Sequence, residues 1–490
     1  MQLPLPLSDL GFLDATTPPP RAERIYVNRS LRMDQVEAVG FDMDYTLAIY
    51  RQEAMDRQSI EATVEKLVKR GYPEALRHMH YRLDFAIRGL LIDRKLGNVL
   101  KMDRHRYVKK AYHGFRELTV DERREAYHTR RIRALGGRYH WVDTLYSLCE
   151  VSMFAAAIDA LEREGMAVDY ERLYGDIRKA VDESHQDGTI LGPVLADLPR
   201  FIRKDPELAT ALHKLRSAGK KVFLLTNSHA PYTDTMMSHL LDGQMPAYPT
   251  WKKYFDVVVT TAKKPSFFVG SEPFLEVVGD ERIPATTLER GRVYAGGNMQ
   301  DFERMLGIAG DRVLYVGDHI YGDVLRAKKE GAWRTAMILQ EMEEELSVVD
   351  RLRADHERLD ALEEQRMQAV DELREHQSRL KRLVKKLEGE LPHDQRLELE
   401  ASRLRHKRAA DRLKHRLEAL EAEHEELERA IEVHFHPFWG SLFKCGPEVS
   451  SFGDQVEEYA CLYTARASNL RHYSALHYFQ SPRDRMPHEL

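Results

Sequence analysis

The sequence predicts an α/β protein: a Rossmann-like parallel sheet with helices on both faces, a large, mostly helical inserted cap, and a coiled-coil-like helical hairpin near the C-terminus. Three observations carry this reading. Short runs rich in β-branched residues recur along the chain, helical patterns separate them, and polar residues gather where each run ends. The runs are residues 36–41, 221–227 ("KVFLLTN"), 255–261 ("FDVVVTT"), 311–318 ("DRVLYVGD") and 334–339 ("RTAMIL"). Strands alternating with helices imply a parallel sheet covered on both faces. Such sheets bind ligands beyond the carboxyl ends of their strands, where this chain carries Asp42, Asp44, Thr226, Ser228 and Asp318.

Taken in order, residues 1–10 ("MQLPLPLSDL") have neither a basic start nor a long apolar run, so they do not read as a secretory signal. Residues 24–50 and 201–340 form the expected catalytic core. Residues 51–200 separate its first two strands, far too many for a simple crossover. They hold helical patterns such as 142–165 and 170–188, which suit a cap inserted over the sheet's active edge. Residues 341–433 change character, with about half of the residues charged and both signs mixed. There Leu352, Leu359, Leu373, Leu380 and Leu387 keep a seven-residue register, with Arg366 in the skipped slot. Pro392 breaks the pattern before a second arm with Leu413, Leu417, Leu420, Leu427 and Ile431, giving an antiparallel hairpin. This is either a solvated spike or a contact for a subunit or partner. Residues 434–490 turn mixed and aromatic again and are expected to pack back on the core.

Composition narrows the function. At 490 residues, two or three domains are expected. A net charge of -5 argues against a basic nucleic-acid surface, and no run approaches a membrane span. Three scattered cysteines match no zinc or redox pattern and suit a reducing cytoplasm. No G-x(4)-G-K-[ST] occurs, which excludes a P-loop kinase or ATPase.

The chemistry lies in "FDMDYT", where Asp42 and Asp44 follow a buried strand and share a face. Paired carboxylates can hold a hard cation such as Mg²⁺, and one can attack phosphorus if a cation and a lysine offset the repulsion. Alone, the pair also fits solvated loop acids or a sugar-nucleotide enzyme's metal site. Further strand ends add Thr226 and Ser228 hydroxyls as an anion cradle or an ordinary helix cap. Lys264 follows in "AKKP", and "VGDHIYGD" offers Asp318 and Asp323 in a glycine-bracketed loop.

The series D-x-D-x-T, strand-end Thr, Lys, G-D-x(4)-D resembles the haloacid dehalogenase superfamily. Within it the chain is similar to the cytosolic purine 5′-nucleotidases in "FDMDYTLAIY", "AIRGLLIDRKLGNVLKMD", "KVFLLTNSHAPYTD", "DVVVTTAKKPSFF", "LYVGDHIYGDVLRAKKEGAWRT" and the "MPHEL" tail. The resemblance implies that Asp42 attacks phosphorus and that Asp44 protonates the 5′-oxygen and then activates water. It implies Mg²⁺ on the Asp42 carboxylate, the Asp44 carbonyl and Asp318. Thr226 and Lys264 would hold phosphoryl oxygens with Asn227 and Ser228 nearby, while Asp323 would support the metal shell or orient Lys264. It assigns the base to Tyr139, Arg178, Asp182 and His185, places Arg88 and Lys101 near the cap hinge, and implies a dimer or tetramer. Family members carry a lysine where this chain has "TILG", at 189–192. The implied activity is Mg²⁺-dependent hydrolysis of purine nucleoside 5′-monophosphates, with phosphotransfer to a nucleoside as an extension. Two other readings stay open: a phosphatase for another small ester, and a scaffold acting through the hairpin.

Overall fold

The computed structural model describes residues 18–127, 131–132, 136–484 and 489; the amino-terminal segment 1–10 and most of the "MPHEL" tail lie outside them. The chain divides into two compact units, one running up to Glu343 and resuming at Leu442–Leu490, the other Glu344–Ser441.

The first unit is built on a ten-stranded sheet. All five expected strands are present and mutually parallel, in the spatial order Arg334–Ile338, Val313–Gly317, Ala38–Phe41, Lys221–Leu225, Val257–Thr260. Ala38–Phe41 lies at the centre with every residue buried, as a continuous apolar run flanked by parallel neighbours should. Sequence reading missed the outer strands: Val293–Gly296, the antiparallel hairpin Phe274–Val278 with Glu281–Pro284, and an edge formed by Leu462–Thr464 and Tyr26–Val27. They are short, and two of them are contributed by residues more than four hundred positions apart in sequence. One face of the sheet is sealed by an aromatic cluster of Phe223, Phe267, Phe268, Phe274, Phe302, Tyr315 and Trp333.

The inserted segment leaves through Ile49–Tyr50 and returns through Ile202–Arg203, which pair antiparallel. Helices lie where the patterns at 142–165 and 170–188 place them, at Leu148–Arg163 and Tyr170–Gln186, and a further helix runs over Gln52–Lys69. Beside them stands a five-stranded antiparallel sheet that the sequence did not disclose, in the order Arg116–Glu117, Val108–His113, Asn98–Met102, Leu90–Asp93, Tyr139–Val142. Its two central strands are wholly buried yet carry Asp93, Asn98 and Lys101, which interrupt the alternation that marks a strand. Asp93 is satisfied by Arg138, through Nε at 2.9 Å and Nη2 at 2.6 Å, and by the Tyr127 hydroxyl at 3.1 Å. Among the described residues no helix is long and apolar enough to cross a membrane, and all three cysteines are buried and outside any disulfide.

The second unit contains the helical hairpin, with long arms Arg353–Leu387 and His393–Glu432. Leu362, Ala369, Leu413, Leu417 and Leu420 form its seam, with Val370, Leu373 and Leu427 beside them. In the skipped slot, Arg366 turns to Glu363 and forms two bonds of 2.7 Å. One seam layer is polar: His376 and His406 face each other with Nδ1 atoms 2.8 Å apart. Burial, then His376, Arg379 and Arg405, lower the His406 pKa, with Glu375 acting in the opposite direction. A histidine depressed in the folded state stabilises fully above the ordinary histidine pKa and loses that contribution as pH falls below it. Acidification from pH 7.5 to 5 should therefore lower the melting temperature of the helical signal in circular dichroism. The double change His376→Leu, His406→Leu should flatten that dependence.

Candidate active site

Consecutive parallel strands deliver their following residues to one end of the sheet. Asp42 leaves the central strand with its N–H donating to Val316 O at 2.9 Å, and its Oδ1 accepts the Met43 N–H at 2.7 Å. Thr226 is fully buried, its N–H bonded to Val259 O at 3.0 Å and its Oγ1 accepting Ser228 N–H at 3.1 Å. The hydroxyl proton of Thr226 is thereby left to donate. Lys264 arrives on a loop in which Thr261 and Lys263 hold positive φ of 51° and 54°, a left-handed path that turns the chain back toward the sheet. Asp318 follows Gly317, and Asp323 lies in the helical turn Ile320–Leu325. Position 317 must be glycine because a Cβ there would stand 2.5 Å from the Asp323 carboxylate.

These groups converge. The Lys264 ammonium donates to Asp323 Oδ1 at 2.7 Å and to the Tyr315 hydroxyl at 2.9 Å, and lies 3.0 Å from Asp42 Oδ1. Tyr315 in turn donates to Leu225 O at 3.0 Å. One oxygen from each of Asp42, Asp318 and Asp323 falls within 4.8 Å of the others. Three buried carboxylates thus share one ammonium. Burial, with Asp323 and Asp44 nearby, pushes Asp42 up to about 7 against the pull of Lys264. Burial and Asp323 also raise Asp318 well above the carboxylate range. Burial would lower Lys264, but Asp323 and Asp42 hold it well above the usual lysine value. Asp318 Oδ2 is buried with no hydrogen-bond partner. An all-oxygen set with a surplus of negative charge and an orphaned carboxylate oxygen fits a hard divalent cation such as Mg²⁺.

Asp44 is held differently. Its Oδ1 accepts the Tyr50 hydroxyl at 2.5 Å and its Oδ2 the Ser228 hydroxyl at 2.6 Å, while Tyr50 meets Tyr232 at 2.8 Å. Burial raises its pKa, opposed by those two hydroxyls. A carboxyl in this setting can carry a proton to and from a reacting group. Ser228, expected near phosphate, thus braces Asp44. Asn227 is committed to the Lys264 backbone, with Nδ2 donating to its carbonyl at 3.0 Å and Oδ1 accepting its N–H at 2.6 Å. Its amide braces the lysine loop instead of standing free for a phosphoryl oxygen. Asp323 accepts from the Lys264 ammonium and also belongs to the carboxylate triad.

Of the residues assigned to the base, Arg178, Asp182 and His185 lie on the helix Tyr170–Gln186. Arg178 pairs with buried Glu150, Nε to Oε2 3.4 Å, and Tyr174 donates to the same oxygen at 3.2 Å. Burial pushes Glu150 up to about 7, against Arg178 and Tyr174. His185 has a buried, unpartnered Nδ1, and burial lowers its pKa to about 4. Its ring lies 4.4 Å from that of Tyr146. Burial raises the Tyr146 hydroxyl pKa, and Asp44, Tyr232 and Asp182 raise it further. Tyr139 is elsewhere: it pairs with Asp93 in the insert's sheet, under the Arg138 guanidinium at 4.9 Å. The aromatic partner of His185 is Tyr146, which sequence reading missed. The available signal was Thr144, whose side chain accepts the Tyr146 N–H and fixes the turn before Leu148–Arg163. Lys101 is structural, donating to Lys444 O at 2.7 Å, whereas Arg88 reaches the acidic loop, donating to Asp318 O at 2.8 Å.

This fold and this set of side chains define a phosphoric monoester hydrolase of the haloacid dehalogenase type. Residues 25–490 match the 5′ nucleotidase family. The chain is 27% identical over 474 residues to a 5′-nucleotidase domain-containing protein of Dictyostelium discoideum, covering 95% of this chain and 74% of that one. It is 33% identical over 345 residues to 5′-nucleotidase domain-containing protein 2 of Rattus norvegicus, and 32% over 345 residues to that of Homo sapiens. These alignments cover 66% of this chain but 61% and 64% of the two mammalian proteins. The chain belongs to the 5′ nucleotidase family.

Proposed function

We propose that this protein hydrolyses purine nucleoside 5′-monophosphates with Mg²⁺, through an aspartyl-phosphate on Asp42. The observation that carries the reading is the Asp42–Lys264–Asp323 array beside the unpartnered Asp318 oxygen. Asp42, Asp318 and Asp323 would hold Mg²⁺, with the Asp44 carbonyl as the further ligand the family resemblance implies, and the ion would supply charge neutralisation for an anionic ester. The Asp42 carboxylate attacks phosphorus while Lys264 and the Thr226 hydroxyl bind phosphoryl oxygens. Asp44, held by Ser228 and Tyr50, gives its proton to the departing 5′-oxygen. It then takes a proton from the water that hydrolyses the acyl phosphate. A nucleoside admitted in place of that water would receive the phosphoryl group, which is phosphotransfer.

The purine stacks against the outer face of the Tyr146–His185 pair, whose rings already meet at 4.4 Å, with Arg178, Asp182 and Glu150 offering hydrogen bonds to its edge. The rest of the reading follows the sequence: a cytoplasmic protein, working as a dimer or tetramer. The test is phosphate release from IMP, GMP, AMP and a sugar phosphate, with and without chelator. Chelator-sensitive preference for the purine nucleotides supports the proposal, and preference for the sugar phosphate overturns the nucleotide assignment. Tyr146→Ala should raise the nucleotide KM about 10-fold by removing one stacking surface. Turnover of p-nitrophenyl phosphate, which offers no purine, should change far less.

A further inference from the structure

We infer that Arg88, a residue of the inserted segment, is a positioning residue for the cation site and couples the insert to it; this rests on the phosphatase reading above. Its side chain is fully buried and its donors are shared among three points of the core. Nη1 donates to the backbone carbonyl of Asp318 at 2.8 Å. Nε and Nη2 form a fork on Glu341, at 2.7 and 2.6 Å, and Nη2 also faces Ile338 O at 3.5 Å. The guanidinium lies over the Phe452 ring, 5.3 Å from its centroid.

That arrangement matters because of what Asp318 lacks. Its Oδ2 has no hydrogen-bond partner, so no bond at that oxygen fixes where the carboxylate points. Its direction follows from the backbone at 318, and Arg88 grips that backbone. The fork on Glu341 fixes the guanidinium plane, which an ammonium at the same place would not do. The residue itself cannot drift. Gly89 holds a φ of +83°, and a Cβ at this position would meet the Phe452 Cβ at 2.4 Å, so the backbone is clamped against the helix Ser451–Tyr459. Arg88 lies two residues before Leu90–Asp93, a strand of the insert's sheet. A strut therefore runs from the segment bearing the base-site helix to a cation-binding carboxylate.

Partners one step behind a metal ligand commonly set affinity by 10- to 100-fold. The test compares wild type with Arg88→Gln, Arg88→Lys and Glu341→Gln. Mn²⁺ binding is read by electron paramagnetic resonance, alongside thermal melting without metal and turnover as a function of metal concentration. Arg88→Gln should weaken Mn²⁺ binding about 10-fold or more and raise the metal concentration for half-maximal turnover by the same factor. At saturating metal the substrate KM should stay within about twofold of wild type, as expected for an effect confined to the cation. Arg88→Lys, which keeps one donor but loses the fork, should fall between wild type and Arg88→Gln. Glu341→Gln should move Mn²⁺ affinity in the same direction. Where Arg88→Gln does not fold, Arg88→Lys and Glu341→Gln decide. Variants that melt earlier yet bind Mn²⁺ like wild type would reduce Arg88 to a structural residue and overturn the inference. A wild type that neither binds Mn²⁺ nor releases phosphate would instead bring down the phosphatase reading itself.

Discussion

Asp42→Asn is expected to reduce phosphate release by about 10⁴-fold or more, the scale on which removing a nucleophile acts, while the protein stays folded. The second half follows from the charge count in the site. Asp42, Asp318 and Asp323 share Lys264 as their ammonium, and Asp42 is held up to about 7 by burial and its acidic neighbours. Asparagine has nearly the same shape, keeps an oxygen for the Met43 N–H, and leaves the Lys264–Asp323 pair intact. It removes one of the charges that repel. For a carboxyl raised from 3.8 to about 7, the folded state retains a proton the unfolded chain has lost. Its contribution to stability therefore falls as pH rises from about 4 to about 7, by up to about 4 kcal/mol. Chelator-treated wild type should accordingly melt lower at pH 8 than at pH 5 through this group. Asp42→Asn should lose that slope and melt at least as high as wild type at pH 8. Denaturation curves at the two pH values, with turnover measured on the same samples, check both parts. An inactive variant that is also unfolded would contradict the charge argument.

What could be read from the sequence was set by burial. The five core strands are near-continuous apolar runs, and a parallel sheet covered on both faces leaves no alternation to search for. Their polar ends were legible for the same reason, since Asp42, Thr226 and Asp318 follow directly on apolar runs. Side-chain direction was not legible. Asn227 and Ser228 sit in the expected turn, yet the lysine loop claims one amide and Asp44 claims the other's hydroxyl. Tyr139 and Tyr146 are seven residues apart, and only the register that pairs Tyr139 with Asp93 assigns the first to the insert's sheet. The insert's sheet stayed hidden because Asp93, Asn98 and Lys101 are buried in paired positions that sequence scores as exposed. In the hairpin the seven-residue register revealed the seam. The layer joining His376 to His406 depends on how the second arm returns, which spacing along one arm does not specify.

Lys264→Met should be the most damaging single change, because here activity and stability fall together. The ammonium is almost wholly buried and lies 2.7 Å from Asp323 and 3.0 Å from Asp42. Methionine matches its length but leaves two buried carboxylates facing each other without a counter-charge. Breaking a buried pair from one side costs about 3–5 kcal/mol, chiefly through the charge left behind. The deficit has a sign with pH: carboxyls left unpaired by the substitution take up protons more readily, so it should shrink toward pH 5 and widen toward pH 8. Turnover should fall about 10³-fold or more, since Lys264 is the cationic side chain proposed to meet the phosphoryl oxygens. The two losses separate in the double variant Lys264→Met, Asp323→Asn. Removing the orphaned charge should restore much of the stability and none of the turnover, giving a coupling of about 2 kcal/mol or more between the positions. Urea denaturation of the two single variants and the double variant measures that coupling. Additive losses would mean that Lys264 and Asp323 do not act as the paired charges on which the site's electrostatics depend.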